Sequence, residues 1–326
     1  MRDGGESGPH RAPAWLRGAH AQTIWPALVG RPRVRWRREA LDAPDGDVWQ
    51  FDWVDAPAQP GAPVVVLFHG LEGGSGSHYA RALMAEVAKR GWRGVVPHFR
   101  GCGGVPNRRP RAYHSGDHAE VGAMLATVRR RAGDGAPLCV AGVSLGGSAL
   151  LNWLGRAGSG AAPIVARAAA ISAPLDLTAA GRSIDHGANR VYAYTFLRTL
   201  NPKARTIASR FPGSLDPARL GRFTTLWAFD DAVTAPLHGF DGADDYWRRA
   251  SSKPWLATIA VPTLVLNARN DPFIPASSLA TAADVSPAVV LEQPEHGGHA
   301  GFVTGRFPGR LDWLPRRLLR WFETGA

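Results

Sequence analysis

Apolar residues follow two different rhythms along the chain. In Val34–Leu41 and Val48–Val54 they alternate with polar ones, on either side of Asp42-Ala43-Pro44-Asp45-Gly46-Asp47. A period of two, interrupted by Pro and Asp-Gly, predicts a β-hairpin. From residue 64 the alternation gives way to unbroken apolar runs. Val64–Phe68, Gly94–Pro97, Leu138–Gly142, Ile164–Ile171, Thr263–Leu266 and Ala288–Leu291 read as strands covered on both faces. His78–Arg90, Asp117–Ala132, Leu145–Arg156 and Leu311–Phe322 read as helices; in the second, Val121, Leu125 and Val128 share one face. Strands alternating with helices predict an α/β fold with a mostly parallel sheet.

The rhythm breaks between about 173 and 261, a stretch rich in aromatic residues (Tyr192, Tyr194, Phe196, Trp227, Phe229, Tyr246, Trp247) with scattered Pro and Gly. It reads as a helical cap over 173–261, inserted between two sheet strands and shaping a pocket at one end of the sheet. The α/β core then comprises 31–172 and 262–326. Residues 1–30, rich in Gly, Pro and Arg, form an N-terminal segment whose first dozen residues are expected to be mobile.

A chain of 326 residues with 45% hydrophobic and 20% charged residues can bury a sizeable core, which excludes global disorder. The two cysteines, Cys102 and Cys139, have neither zinc nor disulfide spacing. The polar start lacks the apolar centre of a signal peptide, and no run has the length of a membrane span. The expectation is a soluble, cytoplasmic protein. The formal net charge of +11 is nearly all arginine, lysine occurring only at Lys89, Lys203 and Lys253. The arginines are dispersed and form no nucleic-acid module, so specific nucleic-acid binding is not expected; weak attraction to an anionic membrane surface stays open.

One motif stands out chemically. Gly142-Val143-Ser144-Leu145-Gly146 lies between an expected strand and an expected helix. That G-x-S-x-G context is a nucleophile elbow, with Gly142 and Gly146 allowing strand and helix to approach and Ser144 held out on the turn. A serine nucleophile needs a base, and the base an orienting acid. The acid candidate is Asp271, in the loop after Thr263–Leu266, although an aspartate before proline is also a common turn residue. Asp176, after the strand ending near Ile171, is the rival acid, or a helix cap. The base candidate is His299, in the glycine-rich loop Glu295-His296-Gly297-Gly298-His299 after the last strand, where glycines let the backbone bend an imidazole into the site. With His296 it could instead be half of a metal site, but no carboxylate or cysteine completes a zinc spacing. His114 and His118 lie four apart without the H-E-x-x-H form and read as structural. The order Ser144, Asp271, His299 is that of the α/β serine hydrolases. An oxyanion hole requires two N–H donors. Leu145, at the start of the helix, supplies one, and Leu71, in His69-Gly70-Leu71-Glu72-Gly73-Gly74 after the first buried strand, the other.

These residues belong to a wider pattern. His20-Ala21-Gln22-Thr23-Ile24-Trp25-Pro26, LFHGLEGGSGSHY at 67–79, HFRGCGG at 98–104 and YHSGD at 113–117 occur with GVSLGG at 142–147, FDDAVTAPLHGF at 229–240, NARNDPFIP at 267–275 and GGHAGF at 297–302. With this combination the chain resembles the YheT-like group of α/β-hydrolases over nearly its whole length. The resemblance implies an α/β-hydrolase fold with a helical cap and a serine carboxylesterase-type activity. It carries the triad onto Ser144, Asp271 and His299. Asn270 departs from it, since related chains often have a second aspartate there.

The expected reaction is hydrolysis of a small-molecule carboxylic ester through an acyl-enzyme, with no metal or cofactor. The acyl group could be short, medium-chain or lipid-derived. Two alternatives stay open: transfer of the acyl group to an alcohol, and a non-catalytic binding protein on a hydrolase fold. Oligomeric state is not readable from the sequence.

Overall fold

The computed structural model describes residues 8–29, 32–133 and 135–325. The N-terminal segment forms a helix, α1 (Ala19–Leu28). Two antiparallel strands, β1 (Trp36–Asp42) and β2 (Val48–Val54), form the expected hairpin. Then come β3 (Val64–Phe68), α2 (His78–Lys89), β4 (Arg93–His98), α3 (His118–Ala132), β5 (Leu138–Val143), α4 (Leu145–Ala157) and β6 (Arg167–Ile171). Five helices follow: α5 (Leu177–Ile184), α6 (Arg190–Arg210), α7 (Leu226–Phe229), α8 (Ala235–His238) and α9 (Ala243–Ala250). The chain closes with β7 (Thr263–Leu266), β8 (Val289–Glu292) and α10 (Trp313–Thr324).

The strands make one sheet in the order β1-β2-β4-β3-β5-β6-β7-β8. β2 pairs antiparallel with β1 and β4; the other neighbours are parallel. Every residue of β3 and β5 is buried, because helices cover both faces. Their alternate side chains therefore enter two different cores. Val64, Val66, Phe68 and Val140 pack with Val121, Met124 and Leu150 of α3 and α4. Val65, Leu67 and Cys139 pack with Leu83, Met84, Leu318 and Phe322 of α2 and α10. Burying such side chains on both faces stabilises by roughly 1.5–3 kcal/mol each.

Two segments differ from expectation. β6 begins at Arg167 instead of Ile164, because a 3₁₀ turn at Gly158–Ala161 runs on, with Val165 N–H donating to Ala161 O. At the N-terminus, residues 1–7 of the stretch expected to be mobile lie outside the described residues. From residue 10 the chain is held: the buried His10 imidazole bridges the carbonyls of His296 and Val303 at 3.0 and 3.1 Å and packs edge-on against Phe302 and Trp313. α1 follows, unforeseen because its apolar stretch is too short for periodicity to show.

Candidate active site

Parallel strands deliver their following loops to one edge of the sheet, so residues distant in sequence meet there. Ser144 follows β5, Asp271 follows β7 and His299 follows β8. Ser144 has φ 55° and ψ −124°, a strained conformation for a side chain with a Cβ. The turn is tight enough to demand the glycines. A Cβ on Gly142 would lie 2.5 Å from Gly146 O, and one on Gly146 would lie 2.5 Å from His69 O. Strand and helix thus meet over bare backbone, and the serine between them points away from both.

The three predicted side chains form one hydrogen-bonded line. His299 Nε2 is 2.9 Å from Ser144 Oγ, and His299 Nδ1 is 2.8 Å from Asp271 Oδ2. A carboxylate only accepts, so Nδ1 carries the proton and the neutral ring's Nε2 is left to accept from the serine hydroxyl. The Asp271 side chain is fully buried and that of His299 is 13% exposed, so the imidazole alone of the pair reaches open space. Asp271 Oδ1 accepts the Phe273 N–H at 2.8 Å. The aspartate is therefore a turn residue through one oxygen and a histidine partner through the other. Asp176, the rival acid, caps α5 by accepting the Ala179 N–H at 3.0 Å.

The loop after β3 is fixed by neighbours sequence reasoning did not identify. Gly70 N–H donates to Tyr79 Oη at 2.9 Å and Glu72 N–H to Tyr113 Oη at 2.8 Å, so both residues flanking Leu71 are anchored. Glu72 takes φ 55° and its Oε1 accepts from Tyr113 Oη and from Lys203 Nζ of α6, at 2.9 and 2.7 Å. His69, fully buried, donates from Nδ1 to Gly70 O and accepts the Phe99 N–H on Nε2. Burial pushes its pKa down to about 3, keeping the ring neutral in that role. Leu71 and Leu145 both line the cavity beside Ser144. Leu145 opens α4, where the N–H groups of the first turn lack intrahelical acceptors and carry the positive end of the helix dipole.

The loop that carries His299 is clamped by α1. Gln22, 1% exposed, accepts the Gly297 N–H at 2.7 Å and an Asn270 Nδ2 hydrogen at 3.1 Å on one oxygen, and donates to Leu16 O at 2.6 Å. Thr23 Oγ1 accepts the His299 N–H itself at 3.0 Å. Asn270 Oδ1 accepts the Gly298 N–H at 3.0 Å, so its amide ties the Asp271 loop to the His299 loop. The trace of this clamp in the sequence is Gln and Thr side by side at 22 and 23. The His296 ring turns to Asn270 Nδ2, at 3.4 Å. Among the described residues no group of His, Cys, Asp and Glu is arranged to hold a metal ion. His114 is buried against the rings of His238 and Tyr246.

Ser144, His299, Leu71 and Leu145 open onto a cavity of about 400 Å³ under α5–α9. Its walls are largely apolar, from Leu177, Ile184, Phe196, Leu200, Leu226 and Phe229. Among its wall residues Asp230, in a π-helical turn (Asp230–Thr234), accepts from Thr234 Oγ1 and Trp247 Nε1 at 2.6 and 2.8 Å. Burial outweighs those donors and raises its pKa to about 6.

A family model described as alpha/beta hydrolase fold matches residues 63–306. "Putative esterase YheT" of Escherichia coli K12 is 39% identical over 94% of this chain and 90% of its own. "Phospholipase ABHD3" of Mus musculus is 30% identical over 93% of this chain and 75% of its own. Among solved structures, the esterase Pf2001 of Pyrococcus furiosus superposes with a TM-score of 0.57 at 15% identity, over 90% of this chain and 96% of that one, a likeness of fold. No helix among the described residues is long and apolar enough to cross a membrane.

Proposed function

The chain belongs to the α/β-hydrolase fold family, and from that premise we propose that it cleaves carboxylic esters by serine catalysis, through an acyl-enzyme. The observation that carries the reading is the unbroken line from Ser144 Oγ through His299 to the buried Asp271, at 2.9 and 2.8 Å. Ser144 Oγ attacks the ester carbonyl and its proton passes to His299 Nε2. Asp271 holds the tautomer and stabilises the imidazolium. The Leu71 and Leu145 N–H groups receive the oxyanion, each contributing on the order of 3 kcal/mol to lowering the barrier. The protonated imidazole then gives its proton to the leaving alcohol. In a second cycle His299 takes a proton from water, which attacks the acyl group and releases the acid.

The apolar walls suit an acyl chain, so the substrate class is an ester with a hydrocarbon acyl group, lipid-derived esters included. The printed names of the relatives, an esterase and a phospholipase, support the same class. Hydrolysis of p-nitrophenyl esters of graded chain length tests the reading. Ser144→Ala is expected to lower kcat by on the order of a million-fold, and a fluorophosphonate probe to label wild type but not the variant. Activity retained in Ser144→Ala removes Ser144 from the reaction. Absent labelling of wild type, with no ester turned over, favours a binding protein instead.

A further inference from the structure

Helix α6 has two unlike sides. Phe196, Leu200 and Ile207 line the cavity that reaches Ser144. The opposite side faces solvent and carries Val191, Tyr194, Arg198 and Arg205, spaced so that all four fall within one narrow stripe of the helix surface. Val191 is 66% and Tyr194 53% exposed, in a protein whose apolar side chains are otherwise mostly inside. The whole 21-residue helix holds five basic residues and no acidic one. Lys203 is paired with Glu72, whereas the salt bridges among the described residues include none of Arg190, Arg198 and Arg205. The unpaired cations are therefore aligned with exposed apolar side chains on an element roughly 30 Å long.

Near its start α6 also meets α1. His20 of α1 stacks on Tyr192 of α6, ring centroids 5.9 Å apart, with a 3.1 Å hydrogen bond between them. α1 turns Ile24 and Leu28 outward, Leu28 being 71% exposed.

We propose that the outer stripe of α6 docks the protein onto an anionic lipid bilayer, arginines against headgroups and Val191 and Tyr194 at the acyl boundary. Charge complementarity selects the partner: uncompensated cations call for an anionic surface, and apolar side chains interleaved with them call for one with hydrocarbon just beneath. A nucleic-acid backbone would satisfy the first requirement and leave the second unmet. By its other face the helix that touches the membrane is also a wall of the cavity, so docking brings that cavity to within about one helix width of lipid esters. That consequence rests on the ester-hydrolase reading; the docking itself does not.

Co-sedimentation of the full chain with vesicles tests the proposal, using phosphatidylcholine mixed with phosphatidylglycerol and phosphatidylcholine alone. Binding is expected to the mixed vesicles and to weaken steeply with salt. Arg198→Gln with Arg205→Gln should weaken it on the order of 30-fold, roughly fivefold per arginine. Val191→Ser with Tyr194→Ser should weaken it at unchanged net charge. Both double variants should hydrolyse a short water-soluble ester at the wild-type rate, which shows that they are folded. Equal binding to neutral vesicles, binding unchanged in the arginine variant, or binding to duplex DNA but not to vesicles overturns the proposal. Vesicle binding with no hydrolysis of any ester upholds the docking and refutes the hydrolase reading.

Discussion

Replacing Gln22 by leucine removes the clamp between α1 and the histidine loop while keeping a side chain of similar bulk. The buried amide makes three hydrogen bonds, to Gly297 N–H, Asn270 Nδ2 and Leu16 O. Leucine leaves the Gly297 N–H and Leu16 O without partners, at about 1–3 kcal/mol for each buried group. The expected loss of stability is therefore roughly 2–6 kcal/mol, partly offset by the apolar contacts of leucine. The kinetic effect is separate. Gly297 lies two residues before His299, whose Nε2 is 2.9 Å from the serine oxygen. Misplacement by about 1 Å at such a contact costs on the order of 100-fold, so kcat should fall by about 10- to 100-fold with KM little changed. Thr23→Val is the companion variant: it keeps the branched shape and removes the hydroxyl that accepts the His299 N–H and donates to Ala19 O within α1, and should lower kcat a few-fold at small cost in stability. Urea unfolding measures the first quantity, and ester hydrolysis well below the transition measures the second. If both variants are folded at the assay temperature and keep the wild-type kcat, the clamp does not position the base.

Asp271→Asn should lower kcat by on the order of 10⁴ while leaving the fold intact, because an amide oxygen can still accept the Phe273 N–H; circular dichroism and hydrolysis rates check both. Gly146→Ala should prevent folding or cost several kcal/mol, since the new methyl would meet the backbone oxygens of His69 and Phe68 at 2.5 and 2.6 Å; soluble yield and thermal unfolding report it. Acid should destabilise the protein between pH 6.5 and about 3, because burial lowers the pKa of each of His69, His114 and His238 to about 3. The unfolded chain binds protons there that the folded one refuses, so stability is complete above pH 6.5 and falls by up to about 1.4 kcal/mol per pH unit per histidine as pH drops. Asp230, raised to about 6, works in the opposite sense between pH 6 and 3.8, one group against these three and His10, whose pKa burial also lowers; urea midpoints at pH 7 and 5 give the net sign, and an unchanged midpoint refutes the assignment.

The sheet was legible because its strands are extreme cases. β3 and β5 are buried throughout, and an unbroken apolar run has few other uses at that length. That the three candidate side chains would meet was legible for a related reason: each follows a recognisable strand, and loops after parallel strands share an edge. What the sequence hid was the identity of neighbours. Nothing near residue 71 indicates that Tyr79 and Tyr113 hold the loop on its two sides, since one hydroxyl on each decides their role. Lys203 likewise finds its partner only when α6 is laid over Glu72. Long-range pairs of this kind leave no periodic trace.

The histidine loop shows how a correct sequence signal can point to a different physical cause. Its glycines suggest freedom to bend, and Gly298 does take φ 59°. Gly301 serves closeness instead: a Cβ there would stand 2.1 Å from Gln22 O, and one on Gly298 would stand 2.9 Å from Thr23 N. The loop is glycine-rich because another stretch of backbone occupies the space that side chains would need. Once α1 is seated there, its own polar groups fix the loop at Gly297, Gly298 through Asn270, and His299. Composition that would make an isolated peptide flexible thus makes this one rigid, provided the N-terminal helix is in place. It follows that deleting residues through Leu28 should leave the sheet and the serine elbow folded yet lose most of the hydrolytic rate. A truncated chain that folds and keeps the wild-type kcat would show that the base holds its position without α1.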